Sequence, residues 1–168
     1  SMMLFDWEGD IWYASTEGGV ARRVTYNPAS DRDPKVSPDG AWVAFLSDRT
    51  GSTQVHVMRP GGFGMRQVTF DSDGKDLVGW TGDGTGLLVL QANDEHYHYS
   101  SGTSLYVVPV DGGPRKRVFD APCRGAALSP DGKQAVFTIG RSSWWRKGYQ
   151  GAMAERLWHA DLSGDAPI

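Results

Sequence analysis

The sequence has one cysteine, no long apolar run and no concentration of charge of one sign. Cys123 has no second thiol with which to form an internal disulfide, a zinc knuckle or a redox pair. No apolar stretch is long enough for a membrane-spanning helix, and the N-terminus lacks the basic and apolar regions of a signal peptide. These absences argue against a disulfide-stapled protein and against insertion into a membrane.

Charge and cysteine content also restrict the partners and the compartment. The formal net charge is -3, and the basic residues are scattered except for two short clusters at 115–117 and 146–147, so nucleic acid is not expected as the main partner. The unpaired cysteine favours a reducing compartment, the cytoplasm. Ser1-Met2 resembles an expression scar, so a periplasmic protein is the alternative if a native leader was removed.

Glycine, proline and tryptophan are abundant. The 168 residues include 22 glycines, 9 prolines and 7 tryptophans, and 39% of the residues are hydrophobic. This composition departs from the Ala-, Leu-, Glu- and Lys-rich balance of helical proteins and favours many short strands joined by tight turns. The length suits one domain with a core of its own.

A short turn sequence recurs at the spacing of a repeat protein. Ser-Pro-Asp-Gly at 37–40 is found again at 129–132, and a degenerate copy, Thr-Gly-Asp-Gly, lies between them at 81–84. Serine first, proline second and glycine fourth are the preferences of a type I turn. Periods of about 40 to 50 residues are typical of β-propeller blades. The turn therefore marks the hairpin between the first two strands, A and B, of each blade.

Other features keep phase with this turn. Equivalent hydrophobic strand positions occur at 11, 55, 105 and 157, separated by 44, 50 and 52 residues. The first three of these strands are each followed by a double glycine and then by a segment of basic and β-branched residues. One blade thus reads as strand A, the Ser-Pro-Asp-Gly turn, strand B, a loop, strand C, a Gly-Gly turn and strand D.

The strand after each turn is apolar on both faces. Residues 42–46 carry apolar side chains on both sides of an extended chain, and residues 87–90 and 135–139 repeat this pattern. A sheet exposed on one face would alternate apolar with polar residues, whereas a sheet between two neighbours is apolar on both. Core positions are accordingly predicted for the tryptophans within strands: Trp12, Trp42, Trp80 and Trp158.

Counting strands gives an all-β fold that begins and ends inside a blade. Strands B, C and D are expected in 2–25, four strands in each of 33–69 and 76–119, and strands A, B and C in 124–161, fourteen in total. The prediction is one domain over 1–168, a partial β-propeller of about three to four four-stranded antiparallel blades in an incomplete ring. Unpaired sheet edges are a liability in water, so either the rest of a longer parent chain or self-association is expected to complete the ring.

Four segments resemble the propeller repeats of TolB- and WD-type proteins: GDIWYASTEGGVARRVTYNP, SPDGAWVAFLSDRTGS, QVHVMRPGGFGMRQVTF and SLYVVPVDGGPRKRVF. Two further features resemble the first blades of tricorn-type peptidases, namely Leu-Val-Gly-Trp at 77–80 and a Trp–basic–Tyr–Gly stretch at 145–151. Gly148 departs from the second pattern as an insertion. The chain is thus similar to the N-terminal β-propeller of tricorn-type peptidases.

This resemblance implies a large self-compartmentalising serine peptidase in which N-terminal propellers gate and channel peptides toward a separate catalytic region. No catalytic residue can be carried over, because the sequence has no segment that matches the catalytic region. The four histidines form no Ser–His–acid pattern, and no serine lies in a nucleophile-elbow motif. We therefore expect a non-catalytic module for peptide access. The alternatives are a TolB-like protein–protein interaction scaffold unrelated to proteolysis and an autonomous small hydrolase, which would require activity of the purified chain.

Two segments carry metal-binding residue types without a complete ligand set. In 94–99, alternation along an extended chain would place His96 and His98 on one side, but with at most one acid in reach they fall short of a closed metal site. Residues 71–76 resemble a calcium loop but lack the later bidentate glutamate, and a turn rich in Asp and Gly explains them. Neither a metal nor another cofactor is expected.

The two longest loops form the candidate ligand-contact region. Both 91–103 and 140–155 connect strands B and C, and insertions on one face of a repeat protein often mark its binding surface. Aromatic rings beside guanidinium and ammonium groups suit peptide backbones, carboxylates and aromatic side chains. A peptide or protein is expected to contact these residues: His96, Tyr97, His98, Tyr99, Trp144, Trp145, Arg146, Lys147 and Tyr149. The alternative is that Trp144 and Trp145 pack on the blade edges as a lid.

Overall fold

The computed structural model describes residues 2–71, 74–92, 103–118, 123–140, 148, 150–151 and 154–163. Every regular element in these ranges is a β-strand, so the all-β prediction is confirmed. The strands are β1 (Met2–Trp7), β2 (Asp10–Ser15), β3 (Arg22–Arg23), β4 (Asp31–Val36), β5 (Val43–Ser47), β6 (Gln54–Met58), β7 (Arg66–Gln67), β8 (Lys75–Trp80), β9 (Gly86–Ala92), β10 (Thr103–Pro109), β11 (Lys116–Arg117), β12 (Cys123–Leu128), β13 (Gln134–Ile139) and β14 (Arg156–Asp161).

The strands pair in four antiparallel groups, which we call the first to fourth blades. The first blade is β1–β2–β3 and the second is β4–β5–β6–β7. The third is β8–β9–β10–β11 and the fourth is β12–β13–β14. One antiparallel bridge, between Thr103 and Cys123, joins the last two blades into a seven-stranded sheet, a link that the sequence did not predict. The architecture is the partial β-propeller that the repeat predicts.

Strands A and B of the second blade are joined by the first Ser-Pro-Asp-Gly turn. Ser37 Oγ donates to Asp39 Oδ1 at 2.6 Å and accepts from the Trp42 amide at 2.9 Å. The Ala41 amide donates to the same carboxylate oxygen at 3.0 Å. Gly40 has a φ of 70°, which favours glycine at the end of the turn. The carboxylate therefore holds the hydroxyl and the backbone of the turn in one arrangement.

The third and fourth blades repeat this network. Thr81 Oγ1 donates to Asp83 Oδ1 at 2.6 Å, and Ser129 Oγ donates to Asp131 Oδ1. In both turns the amide five residues after the hydroxyl donates back to it. The hydroxyl donors hold the pKa of Asp83 and of Asp131 below its ordinary value. The degenerate turn at 81–84 thus keeps the same hydrogen bonds although it lacks the proline.

Strand D, the outermost strand of the first three blades, has only two residues. A threonine hydroxyl extends its pairing in the first two blades. Thr25 Oγ1 accepts from the Ile11 amide at 2.9 Å, and Thr69 Oγ1 accepts from the Val55 amide at 2.9 Å. These hydroxyls satisfy backbone amides of strand C that a two-residue partner strand leaves without a carbonyl.

The middle strands of the second and third blades are buried on both faces, as predicted, but β13 of the fourth blade is buried on one face only. β5 and β6 are buried at every residue. Each space between neighbouring blades holds one apolar cluster, in which burial of a large side chain contributes about 1.5–3 kcal/mol. Buried members are Ile11, Val43, Phe45 and Met58 between the first two blades, Val55, Leu87 and Val89 between the second and third, and Leu88, Leu105 and Phe137 between the third and fourth.

The strand tryptophans differ in how far they enter these clusters. Trp80 is 5% exposed, and its Nε1 donates to the Lys35 carbonyl at 2.9 Å, across the space between two blades. Trp42 is partly buried against the same cluster, and Trp12 is half-buried in the first blade. Trp158 is 50% exposed, because β14 ends the fourth blade and no further strand covers it among the described residues. The prediction of a core position is therefore wrong for Trp158, and also for Trp12, which belongs to none of the apolar clusters.

The turns of the third and fourth blades touch at Gly82, which yields a test of this interface. A Cβ there would overlap the Asp131 carbonyl oxygen, so Gly82→Ala must force the two turns apart. We expect urea denaturation to show a loss of about 1–3 kcal/mol in the free energy of unfolding, the usual cost of overpacking. Gly74→Ala is the matched control, since a Cβ there meets nothing within 4 Å. Equal losses in the two variants would contradict the contact.

Candidate interaction surfaces

The residues predicted to contact a ligand lie outside the described part of the chain: His96, Tyr97, His98, Tyr99, Trp144, Trp145, Arg146, Lys147 and Tyr149. Their contacts therefore stay a prediction. The strand ends that carry the two loops are described, and they fix where each loop leaves the sheet.

These strand ends lie in one row across two blades. Ala92 pairs with Thr103 at the base of the first loop, and Ile139 pairs with Arg156 at the base of the second. Cys123 pairs with both Thr103 and Ile139, so a continuous ladder connects the two bases. Thr103 Oγ1 also donates to the Cys123 carbonyl. The two longest loops therefore start side by side at the same end of neighbouring blades.

The calcium-like segment at 71–76 is explained by ion pairing at its described residues. Asp71 forms ion pairs with Lys75 and, at 2.7 Å, with Arg115. Partial burial raises the pKa of Asp71, but the hydrogen bond from Lys75 and the two positive charges outweigh it and hold this pKa below its ordinary value. In the described ranges no three His, Cys, Asp or Glu residues are grouped to hold a metal ion. The same ranges contain no helix long and apolar enough to cross a membrane.

The outer side of the first blade is rich in aromatic residues. Met3, Phe5 and Trp7 alternate along β1 and so share one side, which Trp12 joins as the cross-strand partner of Phe5. The rings of Trp7 and Trp12 meet edge to face, with centroids 5.5 Å apart and an interplanar angle of 74°. Trp7 is 54% exposed and Met3 is 51% exposed. The opposite side of the blade packs on the second blade through Ile11.

The outer side of the fourth blade is also apolar and uncovered. Val136 pairs with His159, and Leu157 lies two residues before it on the same side of β14. Leu157 is 76% exposed and Val136 is 44% exposed. Val136 occupies the repeat position of Ala44 and Leu88, which are both 0% exposed between blades. We call these two outer sides the end faces. Each is apolar, like the sides that the interior blades bury against their neighbours.

A buried charged cluster lies between the first two blades. Asp31 is fully buried, and both of its carboxylate oxygens accept from Arg49 Nη2 at 2.8 Å. The Arg49 guanidinium lies 5.6 Å from the ring centre of Phe45, whose other neighbour is the His56 ring at 5.7 Å. Burial lowers the pKa of His56, with the positive charge of Arg49 as a smaller contribution. The Gln54 carbonyl and the charge of Asp31 act in the opposite direction without reversing the shift, so protonation of His56 is disfavoured chiefly by its burial.

Comparisons with known proteins agree with this architecture. The family model described as the tricorn protease N-terminal beta propeller domain matches residues 1–166. Tricorn protease homolog 1 of Streptomyces coelicolor is 33% identical over 158 residues, which cover 94% of this chain and 14% of that protein. A structure described as TolB from Agrobacterium tumefaciens matches with a TM-score of 0.72 and 22% identity, over 98% of this chain and 56% of that one. The tricorn protease crystal structure matches with a TM-score of 0.67 and 20% identity, over 94% of this chain and 16% of that one.

The stacked blades and uncovered end faces define a segment of a β-propeller. Because the family model matches nearly the whole length, the chain belongs to the tricorn protease N-terminal β-propeller family, and the predicted resemblance is confirmed. This family model describes a propeller domain and not a catalytic one. The chain spans only 14% of the Streptomyces relative that it matches.

The end faces predict self-association of the isolated chain. Apolar surfaces equivalent to buried ones favour contact between copies, so light scattering should show a mass that rises with concentration. Leu157→Lys should reduce this rise, because it places a charge within the end face of the fourth blade. Val36→Lys is the matched control, since Val36 is 48% exposed but lies on β4. A monomer at all concentrations would contradict the prediction.

The His56 environment predicts a loss of stability in weak acid. Its pKa is lowered in the folded state from 6.5, so the unfolded chain takes up the proton first as the pH falls through that value, and folding becomes less favourable. His56→Phe keeps a ring against Phe45 but removes the titrating group. The urea midpoint should fall more between about pH 7.5 and about pH 5 in the wild type than in His56→Phe. Parallel pH profiles of the two proteins would contradict the assignment.

Proposed function

We propose that this chain belongs to the N-terminal propeller of a larger tricorn-type peptidase, and that it serves peptide access and not hydrolysis. The observation that carries the proposal is the ladder Ala92–Thr103–Cys123–Ile139–Arg156, which sets the bases of the two longest loops side by side. Loops that start together on a rigid scaffold are suited to form one binding surface. The residues of these loops, aromatic and basic, suit a peptide chain.

The same proposal says what covers the end faces in the parent protein. The rest of the parent chain would cover them with further blades, because the interior blades bury the equivalent positions. The small share of the Streptomyces relative that this chain spans leaves ample sequence to supply such blades. A cytoplasmic location is part of the proposal, in keeping with the free, fully buried thiol of Cys123.

Peptide binding by the loops is the test. We expect fluorescein-labelled casein peptides to bind the chain, and Trp144→Ala with Trp145→Ala to raise the Kd by about tenfold, as for aromatic residues at the centre of an interface. Fluorescence anisotropy measures the Kd. Trp7→Ala is the matched control, because Trp7 is an exposed tryptophan on an end face.

The outcome also decides between the two functions that the fold allows. Equal Kd values for the loop variant and the control would contradict peptide access. The TolB-like scaffold, favoured by the match to the Agrobacterium structure at the level of fold, would then be the better interpretation.

A further inference from the structure

The outer edges of the first three blades carry a repeated pattern of exposed cations. In each blade, an exposed cation of strand D pairs with the residue two positions after the fully buried aliphatic residue of strand C, which is Ile11, Val55 or Leu105. These cations are Arg22, Arg66 and Lys116, which pair with Tyr13, Val57 and Val107. The neighbouring strand D residue is half-buried in every case. The three cations therefore occupy equivalent positions along the outer edges of successive blades.

Exposed apolar side chains bracket these cations in the first two blades. Val20 and Phe63 follow the double glycines and are 89% and 76% exposed. Tyr26 and Phe70 directly follow the Val-Thr pair at the other end of strand D, and they are 73% and 78% exposed. The same order of apolar, cationic and aromatic side chains is thus repeated. We call the surface formed by these residues and Arg22, Arg66 and Lys116 the outer rim.

The half-buried neighbours in the first and third blades have structural roles within their own blades. Arg23 Nη2 lies 2.5 Å from Asp10 Oδ2, and Arg117 Nη2 donates to Ser104 Oγ at 2.8 Å. Both arginines thus link strand D to strand C of their own blade. Rim cations also have interactions within the chain: Lys116 has one, and Arg66 donates to the Val110 carbonyl and lies over Trp42 at 5.6 Å.

Protection of a sheet edge is the simplest alternative explanation for the rim. Charged residues on an edge strand discourage pairing with other chains. That function does not explain the large apolar side chains beside the cations, because exposed aromatic residues promote association. Cations interleaved with exposed aromatic residues are instead the composition of a binding surface.

We propose that the outer rim binds an acidic polypeptide segment of a partner protein. Its carboxylates would meet Arg22, Arg66 and Lys116, and its apolar side chains would lie on Tyr26 and Phe70. Charge complementarity selects an acidic partner, since each of three blades contributes an exposed cation to the rim although the chain as a whole has a net charge of -3. The rim residues are distinct from the residues of the loops at 91–103 and 140–155, so variants of the two surfaces test the two proposals separately.

The test uses the 168-residue chain and a fluorescein-labelled glutamate–tyrosine copolymer as the probe. We expect saturable binding by fluorescence anisotropy that weakens as the salt concentration rises from about 0.05 M to about 0.5 M. Arg22→Gln with Lys116→Gln should raise the Kd by about fivefold, because two exposed ion pairs of modest strength are lost. Arg66 stays in place because of its contacts with Trp42 and Val110.

The matched control is Arg124→Gln with Lys133→Gln, which removes two exposed cations of the fourth blade and changes the net charge equally. We expect its Kd to equal that of the wild type. A separate variant, Phe63→Ser with Phe70→Ser, leaves all cations in place and should also weaken binding about fivefold. Urea midpoints of all variants establish that each protein is folded.

Three results would overturn the proposal. Unchanged binding in both rim variants would remove the rim as a site. Equal weakening in the rim and control variants would show general attraction of an acidic polymer to a cationic surface. If light scattering shows that the rim variants lose self-association while they bind the copolymer normally, the occupant is a second copy of this chain.

Discussion

Burial of apolar side chains between neighbouring blades is the interaction on which the rest of this structure depends. The middle strands have two apolar faces, so a single blade cannot hide both from water, and each blade needs a neighbour on either side. Val43 and Ala44 are adjacent in sequence, and they enter different clusters on opposite sides of the second blade. This requirement is met inside the chain and unmet at its two end faces, which explains why Trp7 and Leu157 are exposed.

Polar side chains supply hydrogen-bond partners that the short strands lack. A two-residue strand D offers few backbone partners, and the hydroxyls of Thr25 and Thr69 satisfy strand C amides in its place. The Asp carboxylates of the A–B turns serve a similar purpose, because each accepts from a hydroxyl and a backbone amide of its own turn. The repeated serine, threonine and aspartate residues are thus structural, and the surface left for binding lies in the loops and along the edges.

Much of the fold could be predicted from the sequence because the signals are local and repeated. The Ser-Pro-Asp-Gly turns and the two-faced apolar strands determine the strand order, and both are visible in a single blade. Trp158 was misplaced because its burial depends on a neighbour that the described chain does not supply. The Thr103–Cys123 bridge was not predicted because it joins strands of different blades, and no residue pattern within either strand indicates this pairing.

The candidate sites could likewise be predicted only in part. Composition and loop length identify the long loops, but the ladder that aligns their bases could come only from the pairing of distant strands. The outer rim was hidden in the sequence, because Arg22 and Arg23 look alike there, and only burial separates the exposed cation from the one that binds Asp10.

The ladder through Cys123 has a mechanical consequence. Hydrogen-bonded strands resist sliding past one another, so a shift at the base of one long loop is transmitted to the base of the other through backbone bonds. The bases of the two loops are therefore not independent of each other. A displacement of one base would alter the position from which the other loop starts.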